Sequence, residues 1–319
     1  MCQVWDNCHL LWYDYAMDCQ IEEIAIIGAT ASGKSSLAID IAKREGAIIL
    51  SLDSLSIYRE IDIVSAKPTV EEMGGIEHLG IDVIYPDEPF DVTIFMSLYR
   101  DAHKIAIDSG KKLIIVGGSS FYLKSLIDGI SPLPHIDREI KERVSYALSD
   151  LPKSYDTLYR LDPTYMSRIS SSDRYRIERA LSILWAVGEI PSEYFKKHPP
   201  IPTIKKAIPI YHIETDRAML RERIAKRTDI MLQSGLIDEV AYLEKRYTRS
   251  PNPMKAIGIK ECLEFLDGMY SRRELREKII TNTARLAKRQ TTFNRSQFGD
   301  LISLDIESLK SKIMYDTLH

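Results

Sequence analysis

Apolar positions in the first half of the chain gather in short runs, at residues 23–27, 47–52, 81–84 and 113–116, with few polar residues among them. Such runs are expected of strands buried on both faces of a parallel sheet. Helical periodicity fills most of the gaps between them, so the pattern predicts an α/β core with a doubly wound sheet. A proline-bearing break at 131–134 ends this region, and a second, at 198–202, precedes a fifth candidate strand at 207–213. Only helical pattern lies between the breaks. The expected organisation is a core made of 21–130 and 204–319, finishing in helices, interrupted by a helical insertion at 131–203. Residues 1–20 lack clean periodicity, and also the basic start and long apolar stretch of a secretion signal. They read as an extension or a start site assigned too far upstream, with Met17 just ahead of the first strand.

At 319 residues the chain is long enough to bury a sizeable interior. The formal net charge of -3 argues against a globally basic nucleic-acid binder but leaves local patches open. One segment is such a patch. Arg272, Arg273, Arg276, Lys278, Arg285, Lys288, Arg289 and Arg295 share a helix-like stretch with only Glu274 and Glu277 opposing them. No apolar run approaches the roughly 18 residues that span a bilayer. Cys2, Cys8, Cys19 and Cys262 form neither a zinc pattern nor a disulfide framework, and a reduced, cytoplasmic setting is the expectation.

The most specific feature is the stretch Gly28, Ala29, Thr30, Ala31, Ser32, Gly33, Lys34 and Ser35 between the first apolar run and a helical segment. Strand, loop and helix in that order make a phosphate-binding loop. Its glycines let amides turn toward linked phosphates, its lysine reaches the outer phosphate, and its final hydroxyl ligates Mg²⁺. About twenty residues on, the second run ends in Asp53, at the sheet edge where ligands bind in such folds. Asp53 there suits a general base, but equally a helix cap or a residue behind a metal. The run at 113–116 ends in Gly117, Gly118, Ser119 and Ser120, where a motor ATPase would most often place a carboxylate. Arg217 follows the fifth strand and is placed to meet a phosphate opposite Lys34, whereas Lys226 and Arg227 read as a solvated helix face. In the insertion, Arg168, Arg174, Arg176 and Arg179 surround Tyr175, which suits either RNA contact or the outer face of a core helix.

Taken together, these residues resemble the tRNA dimethylallyltransferases. The resemblance is carried by the loop, by Asp53 and Ser54 with Tyr58 and Arg59, by Ala66, Lys67 and Pro68, and by Gly75, Ile76, Glu77 and His78. Gly117, Gly118, Tyr122 and Leu123, then Asp173, Arg176, Ile177 and Arg179, continue it. Arg217, Gly235, Glu239, Gly258 and the run Ala287, Lys288, Arg289 and Gln290 complete it. Ala29 replaces the usual proline, Ser119 and Ser120 the usual threonine and glycine, and Ser56 a common glutamine.

The resemblance implies a P-loop NTPase-like core with a helical insertion that binds tRNA. It implies transfer of a dimethylallyl group from dimethylallyl diphosphate to N6 of adenosine 37, beside the anticodon, in tRNAs reading codons that start with U. The products would be N6-isopentenyladenosine and diphosphate. Lys34, Arg217 and Ser119 would join Asp53 in catalysis, and Ser35 would hold Mg²⁺. Contacts to the tRNA anticodon stem-loop would fall on Asp53, Ser54, Leu55, Ser56, Ser119, Lys141, Tyr175, Arg176, Ile177, Glu178 and Arg179. A cytoplasmic monomer that needs no membrane is expected. From the residues alone the competitor is a small-molecule kinase, because the same loop and Asp53 would serve phosphoryl transfer from bound ATP.

Overall fold

The computed structural model describes residues 22–316, so the expected extension at 1–20 and Cys2, Cys8 and Cys19 lie outside it. Six parallel strands form one sheet in the order β3-β2-β4-β1-β5-β6. They are β1 (Glu23–Gly28), β2 (Ala47–Leu52), β3 (His78–Leu79), β4 (Lys112–Gly117), β5 (Ile210–Ile213) and β6 (Leu301–Leu304). This is the P-loop NTPase-like α/β architecture. Every residue of β1 is buried, as a central strand of mostly apolar residues requires. Helix α1 (Lys34–Glu45) packs Leu37, Ile41 and Ala42 on one face of the sheet, where α14 (Ile306–Asp316) adds Leu309 and Ile313.

The sheet differs from the expected one at three places. The run 81–84 is not a strand of the sheet, because Gly80 and Asp82 take left-handed φ values of 76° and 54° and turn the chain away after Leu79. Only Ile84 keeps an isolated bridge, to Tyr58. The fifth strand starts at Ile210, although the carbonyl of Pro209 already accepts the Ala25 amide at 2.9 Å. Helices do not complete the chain alone, since β6 pairs with β5 between the last two.

Further helices of the core are α2 (Val70–Met73), α3 (Val92–Ser109), α10 (Arg217–Gln233), α11 (Leu236–Tyr247), α12 (Ile259–Leu266) and α13 (Arg272–Gln297). The described residues divide into two compact units, one of residues 22–124 with 206–316 and the other of residues 125–205. Helix α4 (Ser120–Asp128) runs across the first boundary. The second unit contains α5 (Arg138–Ala147), α6 (Leu151–Leu161), α7 (Pro163–Met166), α8 (Arg174–Val187) and α9 (Pro191–Lys197). Its own core joins Val144, Leu148, Leu158, Met166, Ile177 and Leu181. Among the described residues, no helix is long and apolar enough to cross a membrane.

Candidate active site

The sheet order sets β4 between β1 and β2, so three strands deliver their carboxyl ends side by side. β1 delivers the phosphate loop, β2 delivers Asp53, and β4 delivers Gly117 to Ser119. The approach at β4 is close enough to require glycine. A β-carbon on Gly117 would lie 2.0 Å from the carbonyl oxygen of Leu52. These ends open on a cleft of about 570 Å³ in the first unit, lined by Thr30, Ala31, Lys34, Ser35, Asp53, Ser54, Leu55, Ser56, Gly118 and Ser119 among others.

Within the loop, Gly33 has φ 96° and Ala31 φ 63°, conformations that turn the backbone inward before α1 begins. Gly28, Ala29 and Ser32 are buried behind the loop and do not line the cleft. Lys34 is buried as well, and its ammonium donates to the carbonyl of Ala29 at 2.7 Å. Burial lowers its pKa to about 8, Asp53 acts in the opposite direction and Arg227 adds to the lowering. The first helical turn of α1 leaves its amides without intrahelical acceptors, facing the position an anion would take.

Asp53 shapes the turn that follows it. Its Oδ1 accepts the amides of Leu55 at 2.8 Å and Ser56 at 3.3 Å, while Oδ2 makes no hydrogen bond among the described residues. The capping geometry and a proton-accepting oxygen therefore coexist in one carboxylate. Ser119 stands across from it, with Oγ accepting the Ser54 amide at 3.2 Å. Ser56 is buried and shares a 2.9 Å hydrogen bond with the Ser51 hydroxyl.

The arginine expected opposite Lys34 is not brought to the cleft. Arg217 is exposed at the start of α10 and does not line the cleft. Arg227, about three turns later, does line it, and burial lowers its pKa while Asp53 opposes that shift. The solvated-face reading of Arg227 is thereby corrected. Ile224, Arg227, Thr228 and Met231 form one stripe of α10 at spacings of three, four and seven residues, and that periodicity is the signal that sequence reasoning passed over.

An apolar wall completes the cleft. Phe90 meets Tyr122 edge-on at 5.5 Å and Tyr58 at 6.2 Å, and Val64, Ile257, Ile279 and Leu286 continue the surface. Burial pushes the Tyr122 hydroxyl up to about 12, aided by the nearby Tyr58, Asp53 and Asp91, so it stays protonated at neutral pH. One wall is thus fit for phosphate and the other for hydrocarbon.

The second unit places its expected nucleic-acid residues differently from one another. Lys141, Tyr175, Arg176 and Glu178 are exposed, and the Arg179 guanidinium both donates to the Tyr175 hydroxyl at 2.9 Å and lies 5.3 Å from its ring. Arg176 pairs with Asp173 at 2.6 Å and Arg174 donates to the Leu148 carbonyl. Ile177 is fully buried in the unit's core, so its side chain is not presented to any partner. On α13 of the first unit, Arg276 is tied to Asp229 and Arg295 to Glu214, whereas Arg285, Lys288 and Arg289 are exposed and in no ion pair among the described residues.

A family model described as IPP transferase matches residues 56–297. The chain belongs to this family. It is 58% identical to the tRNA dimethylallyltransferase of Sulfurovum sp., covering 93% of the chain and 99% of that protein. It is 54% identical to the tRNA dimethylallyltransferase of Sulfurimonas denitrificans, over 92% of the chain and 98% of that relative. Its fold superposes on the tRNA isopentenylpyrophosphate transferase of Bacillus halodurans with a TM-score of 0.68, 28% identity and coverage of 94% and 96% of the two chains. It also superposes on a eukaryotic dimethylallyltransferase acting on tRNA with a TM-score of 0.78, 25% identity and coverage of 90% and 74%.

Proposed function

We propose that this member of the IPP transferase family transfers the dimethylallyl group of dimethylallyl diphosphate to N6 of adenosine 37 in tRNA, releasing diphosphate. The observation that carries the reading is the two-sided cleft. Lys34, Ser35 and Arg227 lie in the same cavity as the aromatic and aliphatic wall of Tyr58, Phe90, Tyr122 and Ile279. A diphosphate ester of a short isoprenoid has that polarity.

In this reading N6 attacks C1 of the dimethylallyl group as the bond from C1 to the diphosphate oxygen breaks, and the N6 proton passes to Oδ2 of Asp53. Lys34 and Arg227 balance the charge that grows on the leaving diphosphate, and the orphan amides of α1 add fixed partial charge. The target adenine has to leave its stack to reach Asp53, and the Asp53 to Ser56 turn with Ser119 is placed to receive it. Lys141, Tyr175, Arg176 and Arg179 supply the second unit's contacts to the tRNA backbone.

The residues also fit Mg²⁺. Ser35 is exposed at the first turn of α1 and offers one hydroxyl, and no cluster of three or more acidic, histidine or cysteine side chains that could hold a metal occurs among the described residues. That donor set suits an ion held mostly by phosphate oxygens and water, which would supply additional neutralisation of the leaving group.

Tests follow from the leaving group. Incubation with dimethylallyl diphosphate should release inorganic diphosphate only when unmodified tRNA is present, and ATP should not be turned over. ATP hydrolysis or phosphoryl transfer without tRNA-dependent diphosphate release would replace this reading by the kinase.

A further inference from the structure

We propose that Gln290 is a positioning residue that sets the geometry between the diphosphate side and the base side of the cleft, an inference that rests on the function proposed above. Its side-chain amide reaches two loops at once from α13. Oε1 accepts the amide of Thr30 at 2.9 Å, and Nε2 donates to the carbonyl of Gly118 at 3.0 Å. Thr30 belongs to the phosphate loop, and Gly118 precedes Ser119 in the turn that faces Asp53. The side chain is half-buried and itself lines the cleft. A carboxamide supplies an acceptor and a donor from one planar group, whereas a carboxylate lacks the donor and an ammonium lacks the acceptor.

The bond to Thr30 also decides which loop amides remain for the substrate. The Thr30 amide is taken by Gln290, and that of Ser32 by the Ala29 carbonyl at 3.2 Å. The amides of Ala31, Gly33 and the first turn of α1 are left to face a diphosphate. Freed from Gln290, the loop would lose an anchor beside Ala31, whose left-handed backbone is the conformation most in need of one.

The structure offers a second way to break the same interaction. A β-carbon on Gly118 would lie 2.6 Å from Nε2 of Gln290, and Gly118 does not have a left-handed φ. Gly118→Ala therefore pushes the amide away without altering residue 290.

The experiment compares Gln290→Ala, Gly118→Ala and the double variant with the parent protein. Binding of inorganic diphosphate with Mg²⁺ is read by calorimetry, folding by thermal melting, and transfer by kcat and KM for dimethylallyl diphosphate. Each single variant should bind diphosphate about tenfold more weakly, as loss of two hydrogen bonds to the loops warrants. The double variant should be no worse than either single one, because both remove the same interaction. The rise should appear in KM for dimethylallyl diphosphate, with tRNA affinity unchanged and a fall in melting temperature too small to unfold the protein at the assay temperature. Parent-like diphosphate binding in Gln290→Ala, or losses that multiply in the double variant, would overturn the assignment. Should Gly118→Ala not fold, Gln290→Ala decides alone. Diphosphate binding does not require prenyl transfer, so a parent protein that binds diphosphate but modifies no tRNA would count against the proposed function and not against this role of Gln290.

Discussion

Lys34 donates its ammonium to the carbonyl of Ala29, 2.7 Å away in the same loop, and burial holds its pKa at about 8. Below that pH the free site carries a charged lysine ready for an anion. Above it the lysine is neutral, and binding a diphosphate must take up a proton. Affinity for dimethylallyl diphosphate should therefore fall as pH rises through about 8, approaching tenfold per pH unit above it. Titration calorimetry between pH 7 and 9.5 checks this. Lys34→Arg keeps its charge over the whole range and should flatten the profile. A parental profile without such a fall would contradict the role given to Lys34.

Asp53→Ala removes the oxygen that accepts the N6 proton. Single-turnover transfer should slow by about 10²-fold or more, as loss of a general base does, while diphosphate binding stays near that of the parent. Because Oδ1 also caps Leu55 and Ser56, Asp53→Asn is the companion variant, since its side-chain oxygen can still accept those amides. An Asp53→Asn enzyme as fast as the parent would assign Asp53 to the turn alone.

How much of this was legible in the chain differs from residue to residue. The phosphate loop was readable because its chemistry fixes residue types at fixed spacing, and β1, β2 and β4 were readable because burial on both faces leaves few polar residues in each. β6 escaped although Leu301, Ile302 and Leu304 are apolar, because the segment is only four residues long, is interrupted by Ser303, and is half-buried throughout. Arg227 escaped for another reason. The basic letters of α10 do not say which face meets the cleft, and only the stripe shared with Ile224, Thr228 and Met231 does. Gln290 meets Thr30 and Gly118 across long stretches of chain, and a pairing of that kind leaves no trace in local spacing. At Ile177 the structure shows the reverse: a motif position whose side chain is buried in the packing of its unit.

Glu239 holds the loop that carries Val64 to the cleft. Its carboxylate accepts the amides of Asp62 at 2.8 Å, Ile63 at 2.7 Å and Val64 at 3.0 Å. Glu239→Ala leaves all three without that acceptor and should destabilise the protein by about 2 kcal/mol in chemical denaturation. Glu239→Gln retains an acceptor oxygen and should lose less. A change below about 0.5 kcal/mol for Glu239→Ala would show that water replaces the carboxylate without cost.

Arg285, Lys288 and Arg289 stand exposed on α13 with no acidic partner among the described residues. Replacing all three by glutamine should weaken tRNA binding and lower the slope of log K against log salt by about 2 to 3, close to one unit for each phosphate no longer neutralised. An unchanged slope would return this face of α13 to plain solvation. Dimethylallyl diphosphate binding should not move.

In the proposed reaction the cleft joins an isoprenoid to an adenine. Unmodified tRNA incubated with the protein, Mg²⁺ and dimethylallyl diphosphate, then digested and measured by nucleoside mass spectrometry, tests it most directly. An isopentenyl mass gain on adenosine is expected, forming about 10²-fold more slowly with Asp53→Asn. Unchanged adenosine, in a preparation that binds both tRNA and diphosphate, would contradict it.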